Sequence, residues 1–566
     1  MLKQFILILL QISSVSFADL NDEWSRLLQY DESFNANESY YLSKNKNPSQ
    51  ELYEYKDQLE NRSNGFEYAC KYPARYVVLK KYLQVPDYDL TKCYELNKYM
   101  RSIHCKYLDI VLTSEYFDSP ASIFGHVMLL FHNEEVPEVD STAFHFAAVT
   151  NSNDGFIKYI YNGIIGNYTG SYFREPFFKK VYEYSRVEQR KMHHYRLDVT
   201  NEQINFLLYQ LYEIKELKYS YYFFKKNCAY YIARLLSTVL KNKISPIIYT
   251  MPIDIVTLFD KEIINERILI PDILKLKNIY NDLKSQEKET INSIIDSNYV
   301  DFDETKLSDK MKEWLVINYR YNFRKKHNTL NNYNYVSRLT YSSANEQRDY
   351  AKNNSKINNR KYPRKAGAHY RISSSSMDLS LTFRPAYLDL KDFQKDDMNE
   401  STLSLLEAKV RYKNKTSFLD ELRVIDMLLL SDSTLYNKAL SWSFYSGLNR
   451  KNLEYDLKYQ NEISLGKTIE IMTAQHLSGL IGLGLNNTLY SIEPYIDPTV
   501  YFYGYISDVI KYGIKTSYKI GTKTKQMMSS TFINYYLGSR VALNLEYLMI
   551  KNISYAEVHG GVGYYF

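Results

Sequence analysis

Cys228 and His126 are the residues of this chain whose types and neighbours could carry nucleophilic acyl chemistry. Cys228 lies in YSYYFFKKNCAYYIARLLSTVL, Tyr219 to Leu240, where an aromatic, strand-like run ends at Lys225-Lys226. Asn227 is placed to cap a helix, and Ile232, Leu235, Leu236, Val239 and Leu240 fall on one face of it. A thiol in that first turn feels the positive end of the helix dipole and two neighbouring lysines, and both favour the nucleophilic thiolate. His126, in SPASIFGHVMLLF, follows a small-residue turn and opens an apolar strand. A cysteine opening a buried helix and a histidine on a strand is the pairing that thiol acyl transfer uses. His145, in AFHFAAV, supplies a third group. If its strand pairs with that of His126, the imidazoles become neighbours and His145 orients His126, as the third member of a triad does. Each residue also has a purely structural reading. A cysteine on an apolar stripe packs as inert core, His126 serves as hydrogen-bonded scaffold, and His145 lies on a solvated strand face.

The elements that must position these groups come from a change of period between about Arg101 and Thr250. Strands are predicted at Lys106–Thr113, His126–Phe131, Ala143–Val149 and Phe156–Tyr161, with turns at Ser119-Pro120 and Asn151 to Gly155. Thr200 and Gln203 form a capping box that starts a helix with Ile204, Leu207, Leu208 and Leu211 on one face. The result is an α+β domain. Its glycine-rich loop, Gly163 to Gly170, lacks the spacing and the Lys-Ser/Thr of a phosphate-binding loop. Glu188 and Arg190 read as a structural ion pair. His193 and His194, adjacent in a strand, face opposite ways and make poor joint metal ligands. No His/Cys spacing resembles a zinc site, so no metal or cofactor is expected.

Around this domain the chain divides further. Residues 1–18 read as a secretory signal, with Lys3, an apolar core from Phe5 to Leu10, and a small-x-small cleavage site at Ser16-Phe17-Ala18. Residues 19–100 read as a helical cap with an apolar face at Trp24, Leu27 and Leu28, and residues 251–365 as a helical and increasingly polar linker region. Export permits disulfides among the four cysteines; Cys70 and Cys93 flank a helical segment and are the expected pair, with Cys105 a buried thiol. A net charge of +6 over 566 residues, spread rather than clustered, argues against nucleic acid as a partner. No stretch approaches the roughly 18 apolar residues of a membrane helix.

From 366 to 566 the pattern is sustained alternation, as in Leu379, Leu381, Phe383 and in Ile510, Tyr512, Ile514. One apolar and one polar face, long strands and short polar turns predict a transmembrane antiparallel β-barrel, about 12 strands at roughly 16 residues per strand and turn. The excess of tyrosine, 58 against 3 tryptophans, suits strands and interfacial belts. The aromatic end of the final strand, Tyr564-Tyr565-Phe566, resembles the signal read by the barrel-assembly machinery, an expected partner. A soluble β-sandwich with one wet face is the alternative.

Seven stretches in order carry a family resemblance: EWSRLLQY, CKYPARY, SPASIFGH, AFHFAAV, GIIGNYTGSYF, VEQRKMHHYRL and YYFFKKNCAYYIARLL. Together, from Asp19 to Lys261, they resemble the Lnb N-terminal periplasmic domain family, related to lipoprotein N-acyltransferases of Gram-positive bacteria. KYPRKAGAHYR resembles the junction into a Gram-negative barrel region. The resemblance implies a circularly permuted papain-like fold in which histidine precedes cysteine, with Cys228 as nucleophile and His126 as general base. His145 stands where relatives have asparagine, a departure from the family pattern. The implied protein sits in the Gram-negative outer membrane with its N-terminal domain in the periplasm. Its expected activity is thiol acyl transfer or hydrolysis on an envelope lipid or lipoprotein. The alternatives are a peptidoglycan amidase or endopeptidase of the same fold, and a non-enzymatic barrel with a periplasmic binding or plug domain.

Overall fold

The computed structural model describes residues 19–566 apart from 29–39, 44–46, 104, 117–122, 135–140, 151–153, 155, 241–249, 298–301, 327–349, 353–361, 374–376, 395–399, 435–438, 451–456, 473, 488–490, 523–524 and 552–553. The expected leader, the turn at Ser119-Pro120 and most of the polar run before the barrel therefore lie outside the described residues. The chain forms two compact units, Met1–Asn353 and Asn354–Phe566.

The first unit is built on an antiparallel sheet of eight strands: β1 (Tyr107–Thr113), β2 (His126–His132), β3 (Thr142–Val149), β4 (Tyr168–Pro176), β5 (Met192–Leu197), β6 (Tyr219–Tyr221), β7 (Ile263–Leu269) and β8 (Tyr350–Lys352). Their order is β6-β4-β3-β2-β1-β5-β7-β8. β1 and β2 lie at the centre and are mostly apolar, which suits strands covered on both faces: Leu108, Ile110, Val111, Leu129, Leu130 and Phe131 are all fully buried. The helix Asn201–Ile214 opens on the expected capping box, Thr200 accepting from Gln203 N–H at 3.3 Å and Gln203 accepting from Thr200 N–H at 2.8 Å.

The N-terminal helices dock on this domain through one buried guanidinium. Arg75 pairs with Glu51 at 2.7 Å and with Glu213, from the Asn201–Ile214 helix, at 3.4 Å. The rings of Tyr40 and Tyr72 each lie 4.2 Å from it. Glu213 also accepts the N–H groups of Ala74 and Arg75, two of the unpaired donors at the start of the Pro73–Tyr82 helix. Removing one member would strand buried charge, so the set locks helix to helix. Trp24, Leu27 and Leu28 are buried as expected. Cys70 and Cys93 form the expected disulfide, while Cys105, which is only half-buried, and Cys228 are free thiols.

Three segments depart from the sequence expectations. Phe156–Tyr161, expected as a strand, lies in the helix Phe156–Ile165. Tyr159 and Gly163, four apart, share a face that meets the Phe223 ring, a helical spacing that outweighs the aromatic composition. The glycine-rich stretch is accordingly not one loop: it closes that helix, turns at Gly166 (φ +84°) and enters β4. A side chain at Gly166 would also run into the Tyr222 ring. The region read as a linker from residue 251 contributes β7 and β8 to the sheet, together with the helices Asp272–Asp282 and Asp309–Lys326.

The second unit is a closed antiparallel barrel of twelve strands: β9 (Lys365–Ser373), β10 (Met377–Arg384) with its short continuation β11 (Ala386–Leu388), β12 (Glu400–Lys413), β13 (Thr416–Leu430), β14 (Ser441–Asn449), β15 (Lys458–Met472), β16 (Gln475–Asn487), β17 (Ile492–Ser507), β18 (Ile510–Gly521), β19 (Lys525–Tyr536), β20 (Val541–Ile550) and β21 (Tyr555–Tyr565). The ring closes where β21 pairs with β9, Val562 opposite Ala368, and β10 pairs with β12 around the β11 offshoot. Alternation sets the faces. Ile463, Leu465, Ile481 and Leu483 are exposed, while Ser464, Thr468, Ser478 and Lys511 are buried inside. An apolar outside and a polar inside is the inverse of a soluble sandwich and fits strands solvated by lipid. Among the described residues no helix is long and apolar enough to cross a membrane.

Candidate functional site

The three residues singled out by sequence converge in the first unit. β2 and β3 pair only from Met128, opposite His145, onward, while β3 continues alongside β4 to Val149. His126 lies two residues before Met128, hence on the same face as His145 and diagonal to it. The rings sit edge to face with centroids 5.4 Å apart, and His126 Nε2 lies 3.4 Å from His145 Nδ1. Gly125 sets the approach: its φ is +85°, and a Cβ there would stand 2.5 Å from the Thr113 carbonyl oxygen.

The Cys228–Leu236 helix starts where those strands part. Asn227 caps it, accepting from the N–H groups of Ala229 and Tyr230 at 3.0 and 3.2 Å. Its own amide donates to the carbonyls of Phe223 and Thr250, fixing the entering turn. Tyr231 stacks on Phe146 with centroids 4.0 Å apart, and its carbonyl accepts from Tyr172, which seats the helix on β3 and β4. The N–H groups of Val127, the residue after His126, and of Ala229, with the Tyr221 hydroxyl, stand close enough to the Cys228 thiol to favour its ionised form.

The expected thiolate is not the resting state. Cys228 is 4 % exposed, and burial pushes its thiol up to about 11 against the pull of the neighbouring N–H groups. Desolvation of the charged form outweighs the helix terminus, and neither Lys225 nor Lys226 contributes among the main influences. Burial likewise holds half-buried His126 well below the usual imidazole range, assisted by the adjoining His145 ring and the positive charges of Lys180 and Arg190. Thiol and imidazole are both neutral at pH 7.

Two groups complete the site that sequence alone did not single out. Glu175 Oε2 lies 3.0 Å from His145 Nε2 and 2.8 Å from Lys180 Nζ. The His145 hydrogen bond, helped by Lys180, holds this carboxylate down to about 2, so it is ionised and accepts only. That fixes the tautomers in turn: His145 donates from Nε2, its Nδ1 accepts from His126 Nε2, and His126 Nδ1 is left as the open base. Glu175 is two residues beyond Phe173, the partner of His145 across β3 and β4, so period two puts it on the same face. The second group is Tyr221, whose hydroxyl reaches the thiol.

Neighbouring polar residues serve as scaffold. Arg190 pairs with Glu188 at 2.7 Å, as expected, and also donates to Ser114 O and Thr113 Oγ1. Thr113 Oγ1 accepts the His126 N–H at 3.0 Å, so Arg190 braces the start of β2. His193 and His194 face opposite ways: His193 lies 3.6 Å from Glu266, and His194 packs in the buried set of Asp109, His132 and Arg196. No metal-binding cluster occurs among the described residues.

Comparison with known proteins divides the chain as the structure does. Residues 95–261 match the Lnb N-terminal periplasmic domain, residues 19–82 a domain of unknown function (DUF7843) and residues 363–566 another (DUF7840). The stretches EWSRLLQY and CKYPARY thus fall in the first of these unknown domains rather than in the Lnb domain itself. No curated protein matches the chain. Similar solved structures include the KdgM porin (9 % identity, 36 % of this chain and 99 % of that chain, TM-score 0.25). Others are the NanC porin (10 %, 36 % and 100 %, TM-score 0.26) and Omp33 of Acinetobacter baumannii (7 %, 36 % and 98 %, TM-score 0.20). The Lnb-type part is periplasmic and the lipid-facing barrel places the protein in the outer membrane.

Proposed function

We propose that the first unit is a cysteine-dependent acyltransferase or acyl hydrolase of the cell envelope, tethered by the barrel and built on a permuted papain-like plan. One observation carries this reading: the Glu175–His145–His126 chain ends beside the strand residue whose N–H meets the Cys228 thiol. Because both partners rest neutral, His126 Nδ1 takes the thiol proton as sulfur attacks the carbonyl carbon of an ester or amide. The N–H groups of Val127 and Cys228 then stabilise the oxyanion, since those of Ala229 and Tyr230 are taken by Asn227. Collapse expels the alcohol or amine, which receives the proton from His126, and leaves a thioester on Cys228. An amine or water takes the acyl group. An envelope lipid or lipoprotein as acyl donor suits the membrane location and the aromatic surroundings of the thiol, Tyr221 and Tyr231.

The burial of Cys228 favours one competing reading, a periplasmic binding module whose cysteine is simply core. Incubating the full-length protein with phospholipid and with diacylated lipopeptide, followed by intact and peptide mass spectrometry, separates them. The enzyme reading requires an acyl thioester on Cys228 that is absent from Cys228→Ala. An unmodified Cys228, in a protein whose Cys228→Ala variant fully complements a deletion strain, would establish the binding reading.

A further inference from the structure

Asp389–Gln394, the described part of the link between β11 and β12, does not turn at the rim of the barrel. It folds into the lumen, and Asp389 to Gln394 meet strands on every side of the ring. Asp389 pairs with Arg423 on β13 at 3.1 Å. Leu390 joins a buried cluster with Leu428 and Leu430 of β13, Leu480 of β16, and Tyr501 and Tyr503 of β17. Lys391 pairs with Glu546 on β20 at 2.8 Å, and its carbonyl accepts from Asn534 and Tyr536 on β19. Asp392 takes Arg384 of β10 at 2.7 Å and the Tyr565 hydroxyl of β21 at 2.8 Å, and its carbonyl accepts from Lys511 of β18. The Phe393 ring packs between Tyr505 and Tyr536. Gln394 ties the segment back on itself, donating to the carbonyls of Asp389 and Ser401 and accepting from Ser401 N–H.

From these contacts we infer that the barrel is a closed anchor rather than a conduit, and that Asp389–Gln394 is its built-in plug. A segment that merely rested in a water-filled lumen would leave its main-chain groups and charges to solvent. Here both carboxylates, the lysine and the main-chain oxygens of Asp389, Lys391 and Asp392 are all held by wall or segment residues, and an apolar cluster fills the space beside them. A lumen occupied by partnered side chains leaves no continuous water path for ions. Closure by ion pairs and hydrogen bonds, with a small apolar contribution, is also the kind that a few substitutions can undo.

Planar-bilayer recording on the full-length protein tests this. The wild type is expected to insert without unitary current steps. Replacing Asp389–Gln394 with six Gly and Ser residues is expected to produce steps, insertion being checked by heat-modifiable gel mobility. Should that variant lose its folded mobility, the pair Asp392→Asn with Lys511→Met keeps the main chain and is expected to give brief openings. Steady steps from the wild type would overturn the proposal whatever the variants do. A folded replacement variant as silent as the wild type would also overturn it, because closure would then lie elsewhere in the lumen.

Discussion

β2 and β16 show how the two units use apolar residues in opposite ways. In β2, Leu129, Leu130 and Phe131 are wholly buried against helices and neighbouring strands. In β16, Ile481 and Leu483 are exposed, while His476 and Ser478 are buried. Water expels the apolar side chains of the first unit into a core. Lipid receives those of the second, so polar groups turn inward. The difference extends to titratable groups. In the first unit one largely buried set, Glu175, His145 and Lys180, lies on the thiol's side while others lock helices and strands; in the second they line and cross a lumen in mutual ion pairs. Burial of charge is therefore scaffold in both units, as at Arg75 and Asp109 in the first, and only beside the thiol does it coincide with a nucleophile.

The widest test of that contrast places a charge on each apolar surface. Leu129→Asp should cost at least about 4 kcal/mol and unfold the first unit, seen as lost protease resistance there while the barrel keeps its folded gel mobility. A protected Leu129→Asp protein would mean that the sheet is not a dry core. Ile481→Arg should cost about 2–4 kcal/mol, read from urea-dependent folding into vesicles, because the arginine must enter hydrocarbon. No change on that surface would argue for an aqueous outer face and against a membrane barrel.

A third test sharpens the comparison at the thiol. With Cys228 pushed up to about 11, its alkylation by iodoacetamide at pH 8 should be on the order of a hundredfold slower than in the unfolded chain. The folded rate should keep rising with pH well beyond 8, since the thiolate grows only as the thiol titrates. A plateau by pH 8 would show a thiolate already formed and restore the ion-pair expectation. The smallest effect is expected from Glu175→Gln, about a tenfold fall in turnover. Glu175 raises the proton affinity of His145, partly offsetting burial, so its loss should move the acid limb of the pH profile downward. An unchanged or upward-shifted limb would remove Glu175 from the relay.

Which features were legible follows from how local their causes are. Period-two alternation needs only neighbouring residues, so the barrel and its strand number could be read from residues 366–566. The Asn227 cap, the Thr200 capping box and the Cys70–Cys93 pair were similarly visible at short range. Glu175 was hidden because its contact with His145 depends on the register of β3 against β4, which the intervening helix does not announce. The thiol was misjudged because helix position is written in sequence and depth of burial is not. The run DLKDFQ, Asp389–Gln394, looks like any turn and gives no sign that it folds inward.

The seam between β9 and β21 also constrains how the molecule can be made. Its two strands stand at opposite ends of the barrel sequence, so the ring has no complete form until the last strand has been translated and exported. Until then β9 and β20 present open edges, and premature pairing there invites aggregation. Truncations that shorten β21 should therefore fail in biogenesis rather than in chemistry, depleting the protein from the membrane even where Cys228, His126 and His145 are intact.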